Sequence, residues 1–201
     1  LFSAYYTYST ANTSFVFIGF ILGIVLAIAT IIKKQWAPIT VPLYAICEGL
    51  ALGGISAIYE SMYAGIVQQA IFLTIGIFAA LLFAYKTKII QATENFKLGV
   101  FAATGGIALV YFISFIMSFF GSSISILSIQ NASLMSIGFS LFVVIIASLN
   151  LVLDFDFIEE ASESNVPKYM EWYATFGLLI TLIWLYLEIL RLLAKLQSRR
   201  N

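Results

Sequence analysis

The chain has 201 residues, of which 62% are hydrophobic and 10% charged, and its mean hydropathy is +1.02. A soluble domain carries roughly 45 to 50% apolar residues and could not hide this much apolar surface from water, so the composition describes an integral membrane protein. Ten basic residues balance ten acidic ones, which gives no surplus for nucleic acid; the absence of histidine and the single Cys47 exclude an internal disulfide, a Cys-rich metal site and an imidazole proton shuttle.

In chain order, "LFSAYYTYST" comes first. Residues 1 to 8 read as the aromatic, interfacial end of a first helix whose beginning is missing, with a short ordered tail as the alternative. A helix needs about 20 mostly apolar residues to cross a bilayer. Six such runs follow, near 14–32, 40–59, 65–85, 98–120, 132–153 and 172–194. The expected fold is an all-α membrane protein, a seven-transmembrane-helix bundle with its first helix largely missing, organised as a single membrane domain over 1–201. The longest connection is the acidic "DFDFIEEASESNVPKYME".

Lys33, Lys34, Lys86, Lys88 and Lys97 fall in alternate loops, whereas "STANTS", "ESMYAG" and "GSSISILSIQN" contain no Lys or Arg. The positive-inside rule therefore places the Lys-bearing loops in the cytoplasm and the C-terminus outside. The basic end "AKLQSRRN", with Lys195, Arg199 and Arg200, runs against that assignment. Either the last run does not cross fully or the earlier loops dominate.

Charges inside the spans carry the functional information. Glu188 lies in "FGLLITLIWLYLEILRLLA", where an acidic side chain at mid-membrane costs roughly 2.5 to 3.5 kcal/mol on insertion scales. It is either a functional group or the intrahelical partner of Arg191, three residues on and on the same face. Asp154 and Asp156 end an apolar stretch and, on a helix, point about 200° apart, so one of them at most faces the bundle. Asp154 is the deeper candidate, and Asp156 groups with Glu159, Glu160 and Glu163; the alternative for the whole group is a solvated helix end. Glu48 shares its run with Gly49, Gly53 and Gly54, and its carboxylate either bonds across helices or lines a cavity.

Most catalytic chemistry is excluded. No His-based triad can form, no phosphate-binding glycine pattern is present, and Ser136 and Ser140 lack a neighbouring base and read as helix contacts. The Gly-x-Gly-Asp pattern of intramembrane aspartyl proteases is missing, so an enzyme is not expected.

"SLNLVLDFDFIEE", "PKYMEWYATFGLLITLIWLYLEILRLLAKL" and "YAICEGLALGGISAIYE" together resemble the Bax inhibitor-1 family, the transmembrane Bax inhibitor motif proteins, in their bacterial YccA-related branch. The resemblance covers nearly the whole chain. It implies seven helices with the last one central, and a pH-sensitive calcium leak whose sensor is an acidic pair, here Asp154 and Glu188. It also implies a basic latch at the end of the second helix, where Lys33 and Lys34 stand. Leu153 replaces the family's frequent Tyr, and Glu188 is one methylene longer than the usual Asp.

The expected mechanism follows from electrostatics. Two close carboxylates in a low-dielectric site cannot both ionise cheaply, so they share a proton at lower pH. At higher pH they separate and attract a hard cation such as Ca²⁺, transiently, because two acids are too few to hold it. Asp154 and Glu188 are thus also the candidate transient Ca²⁺ ligands; Asp156, Glu48 and Arg191 are secondary residues of the pH sensor and ion pathway. No cofactor is expected beyond Ca²⁺ as a permeant ion; the partners are the lipid bilayer, Ca²⁺ and protons, in a bacterial inner membrane. The competing class is a non-conducting partner or regulator of a larger membrane protein complex, supported by the acidic segment 154 to 163 and the aromatic "KYMEWY". A proton-coupled transporter is a third reading, weakened by the lack of an inverted repeat.

Overall fold

The computed structural model describes residues 2–10, 13–122, 124–164 and 166–200, without the side chains of 13 and 14. Leu1, where the expected helix fragment begins, and residues 11 and 12 of the "STANTS" connection lie outside the described residues. Among the described residues seven α-helices run in order: α1 (Phe2–Thr10), α2 (Thr13–Ile32), α3 (Ala37–Met62), α4 (Ile66–Lys86), α5 (Glu94–Phe119), α6 (Leu134–Glu163) and α7 (Tyr169–Arg200). Short 3₁₀ turns at Lys34–Trp36 and Ser125–Leu127 interrupt the connections, and the described residues contain no strand. Six of the helices, α2 to α7, are long and apolar enough to cross a membrane.

The helix ends have local causes. Pro38 sits in the first turn of α3, where its missing N–H costs nothing. The Glu60 carboxylate accepts the Gly65 and Val67 N–H groups at 2.6 and 3.1 Å, which satisfies donors that the start of α4 leaves open. Gly65 itself has φ +80°, a turn conformation that glycine adopts without strain. At α5 the Thr93 side chain accepts the Phe96 N–H at 3.3 Å, and Glu94 adds a favourable charge to the first turn.

One expectation needs correction here. The acidic stretch is not loop from Asp154 onward: α6 continues to Glu163, and the connection to α7 lies beyond it. Nothing from Asp154 to Glu163 is a glycine or proline, so no residue of that stretch breaks the helix.

The chain forms two compact units, Leu1–Val67 with Phe157–Ile180 and Gln68–Asp156 with Thr181–Asn201. In the first, glycines let α3 approach its neighbours closely. A Cβ on Gly19 of α2 would stand 2.5 Å from the Cys47 carbonyl, and one on Gly53 of α3 would overlap the Ala4 carbonyl of α1. Thr30 and Thr40, both buried, join α2 to α3 through a 2.7 Å hydrogen bond. Tyr44 packs edge-on against Phe176.

In the second unit, Ile107 of α5 and Val143 and Ile146 of α6 form a buried cluster covered by Tyr111, Phe139 and Trp184. Asn150 of α6 bonds Thr104 of α5 at 2.8 Å. Outward-facing residues are large and apolar in both units, with Phe17, Phe101, Phe112 and Phe115 each more than half exposed. Such a surface is untenable in water and suited to lipid.

Candidate functional site

The second unit gathers three polar side chains on one buried face of α7. Thr181, Glu188 and Lys195 are all buried, at 8%, 2% and 0% exposure. They are seven residues apart, so they share one face and succeed one another about every 10 Å along the axis. Each meets a different set of partners.

At the first level, Thr181 hydrogen-bonds Asp154 of α6. The other carboxylate oxygen, Oδ2, is buried without a hydrogen-bond partner among the described residues. Burying a polar oxygen in this way is costly, and such atoms are rare in folded proteins.

At the second level, Glu188 is fully engaged. Tyr111 donates its hydroxyl to Oε1 at 2.8 Å, and Arg191 Nη1 donates to Oε1 and Oε2 at 3.1 and 3.2 Å. Arg191 Nη1 also donates to the Tyr111 hydroxyl at 2.6 Å, and its guanidinium lies 5.2 Å from the Tyr111 ring centroid. The three groups close a triangle in which the acid, the cation and the phenol each bond the other two. The Arg191 side chain retains 28% exposure, so the pair is shielded on the acid's side and partly open on the cation's.

At the third level, the Lys195 ammonium donates to the Ile126 carbonyl at 2.8 Å, the Ser136 carbonyl at 3.3 Å and the Ser140 hydroxyl at 2.8 Å. Three acceptors match the three protons of an ammonium. Lys195 therefore pins the Ser125–Leu127 turn and the start of α6 to α7.

The remaining expected residues have partners of their own. Asp156 forms an ion pair with Lys97 at 2.7 Å and accepts from the Tyr85 hydroxyl at 3.4 Å. In the first unit Glu48 hydrogen-bonds Tyr44, and a Cβ on Gly23 would stand 2.8 Å from Glu48 Oε1. Lys33 lies over the Trp36 ring at 4.4 Å and Lys34 over the Tyr173 ring at 4.9 Å, both cation–π distances.

Asp154 and Glu188 are not joined by a hydrogen bond. Asp154 is tied to Thr181, two turns before Glu188, and Glu188 is tied to Arg191 and Tyr111. The intrahelical Arg191 partner, one of the two readings the sequence allowed for Glu188, is present.

The sequence profile of a family described as Bax inhibitor 1 like matches residues 1–198. The chain belongs to the Bax inhibitor 1 like family. No curated protein and no solved structure gives a match. For this Bax inhibitor 1 like chain, sequence reasoning missed three members of the site: Thr181, Tyr111 and the inward orientation of Lys195. The seven-residue spacing from Glu188 to Lys195 was the available signal for the last, and for Tyr111 it was the hydroxyl of the one tyrosine among the aromatic residues of α5.

Proposed function

We propose that the chain is a cation-permeable membrane protein, a pH-sensitive calcium leak, in which Asp154 is the titrating group and the polar face of α7 marks the pathway. The observation that carries this reading is the buried, unpartnered Oδ2 of Asp154 between α6 and α7. Neutral, that carboxyl packs as a small polar group beside Thr181. Ionised, its free oxygen lacks compensation from protein donors and attracts a hard cation.

Glu188 is the second acid of the pathway, held out of use by Arg191. While that pair is closed, its negative charge is already balanced and the Lys195 ammonium follows two turns on. A column with both cations in place opposes cation entry, so the arrangement corresponds to a closed state. Opening requires Arg191 to release Glu188, after which Asp154 and Glu188 line one route. Two carboxylates fall well short of the six to eight oxygens that hold Ca²⁺ firmly, which favours passage over storage. No catalytic step and no cofactor enter this reading, and the resemblance of the sequence to the bacterial branch of the family favours a bacterial plasma membrane.

The test is calcium-dye flux into proteoliposomes over about pH 5 to pH 8, the range in which a buried carboxyl titrates. Leak should rise with pH as Asp154 ionises and become flat in Asp154→Asn. An unchanged pH profile in that variant refutes the assignment. Absence of any flux, with stable co-purification in a larger assembly, favours the non-conducting partner role instead.

A further inference from the structure

The basic end of α7 remains unused by the column, because Lys195 is committed to Ile126, Ser136 and Ser140. Beyond it a cleft of about 480 Å³ is lined by Gln69 of α4 and by Leu193, Leu196, Gln197, Arg199 and Arg200 of α7. We propose that this cleft binds the phosphodiester headgroup of an anionic phospholipid.

The spacing supports the assignment. Leu193, Leu196, Gln197 and Arg200 stand at i, i+3, i+4 and i+7, so they form one helix face, and Arg199 flanks it. Along that face the chemistry changes in a fixed order. Leu193 lies deepest, Leu196 and Gln197 follow about 5 Å farther along the axis, and the two guanidinium groups come about 10 Å from the start. An anionic phospholipid presents the same order: acyl chain, ester region, phosphate. Arginine suits the last because its planar fork bonds phosphate oxygens in pairs, and Gln69 and Gln197 offer amide donors to the ester oxygens.

None of the lining residues is acidic, so the two arginines have no competing partner within the cleft. Its volume falls in the usual range of ligand sites, about 300 to 1,000 Å³, and is enough for a headgroup and glycerol. The acyl chains would run along the outward apolar surface of the helices. A free phosphate would leave the Leu193 and Leu196 floor uncovered, which is why the lipid is the favoured source of the phosphate. The inference rests on the membrane location and not on the leak.

The experiment uses the full chain in mixed micelles of phosphatidylcholine and phosphatidylglycerol, with retained lipid read by native mass spectrometry. Phosphatidylglycerol should be retained in preference. Each surface guanidinium contributes about fivefold, so Arg199→Gln with Arg200→Gln should reduce the preference by up to about thirtyfold. Both arginines are exposed, so these variants should elute and unfold as the parent does. Leu193→Gln should weaken lipid retention while leaving any inorganic phosphate binding unchanged. Equal retention of the two lipids, or a preference that survives the double variant, overturns the proposal. Inorganic phosphate that binds as well without lipid and displaces phosphatidylglycerol overturns the lipid assignment and leaves a soluble-anion site.

Discussion

Removing either partner of the Glu188–Arg191 pair should have unequal consequences. In Arg191→Met the carboxylate stays 2% exposed and keeps only the Tyr111 hydroxyl, a neutral donor at 2.8 Å. Breaking a buried ion pair from one side costs about 3 to 5 kcal/mol, and the near-complete burial of Glu188 puts this variant in that range. In Glu188→Gln the amide oxygen still accepts from Tyr111, and the guanidinium left behind is 28% exposed and keeps its bond to the Tyr111 hydroxyl. That loss should be nearer 1 to 2 kcal/mol, about the value of a hydrogen bond to a charged group. Combining Glu188→Gln with Arg191→Met removes the uncompensated charge, so the double variant should be more stable than Arg191→Met alone. Equilibrium unfolding in mixed micelles measures the cycle. Equal costs for the two single variants, or strict additivity in the double, would show that the pair is not closed as the triangle requires.

Lys195→Met fills similar volume but leaves three acceptors without their donor; a loss of about 2 kcal/mol or more is expected, with faster amide exchange at Ser125–Leu127, and unchanged exchange there would contradict the pinning role. Gly53→Val forces a side chain into the Ala4 backbone, and should raise exchange throughout α1 at a cost of about 1 to 3 kcal/mol while leaving the Glu188 triangle intact. Lys97→Gln removes a partly exposed ion pair with Asp156 and should leave the unfolding midpoint close to the parent value; a large drop would mean that Asp156 is more buried than its 24% exposure indicates.

The helices were legible because each span is a nearly uninterrupted apolar run, and hydropathy responds to little else. Helix ends were less so: the charges of Asp154, Asp156, Glu159 and Glu160 look like a loop on a hydropathy scale, yet none of them breaks a helix, and α6 runs on to Glu163. Partners were the hardest to read. Arg191 beside Glu188 is a local relation at i, i+3 and was visible, whereas Tyr111 and Ser140 reach their partners across 77 and 55 residues of chain. Lys195 was misleading because its place near the end of an apolar run suggests an interfacial lysine, and only packing against α6 and the Ser125–Leu127 turn shows that it is fully buried.

The burial of Lys195 also alters the argument about orientation. A lysine counts toward the positive-inside bias only when its charge faces the membrane surface as a loop charge, whereas this ammonium is spent on two carbonyls and a hydroxyl within the fold. That leaves Arg199 and Arg200 as the basic residues at the end of α7 that oppose an outward C-terminus, against five lysines in the loops that set the bias. The conflict between the basic terminus and the earlier loops is therefore smaller than the sequence made it look. It is testable by the accessibility of a single cysteine placed at Ser198 in a Cys47→Ala background: labelling from outside intact cells is expected, and labelling only after lysis would place the C-terminus inside, by a reversed bundle or by a last run that does not cross fully.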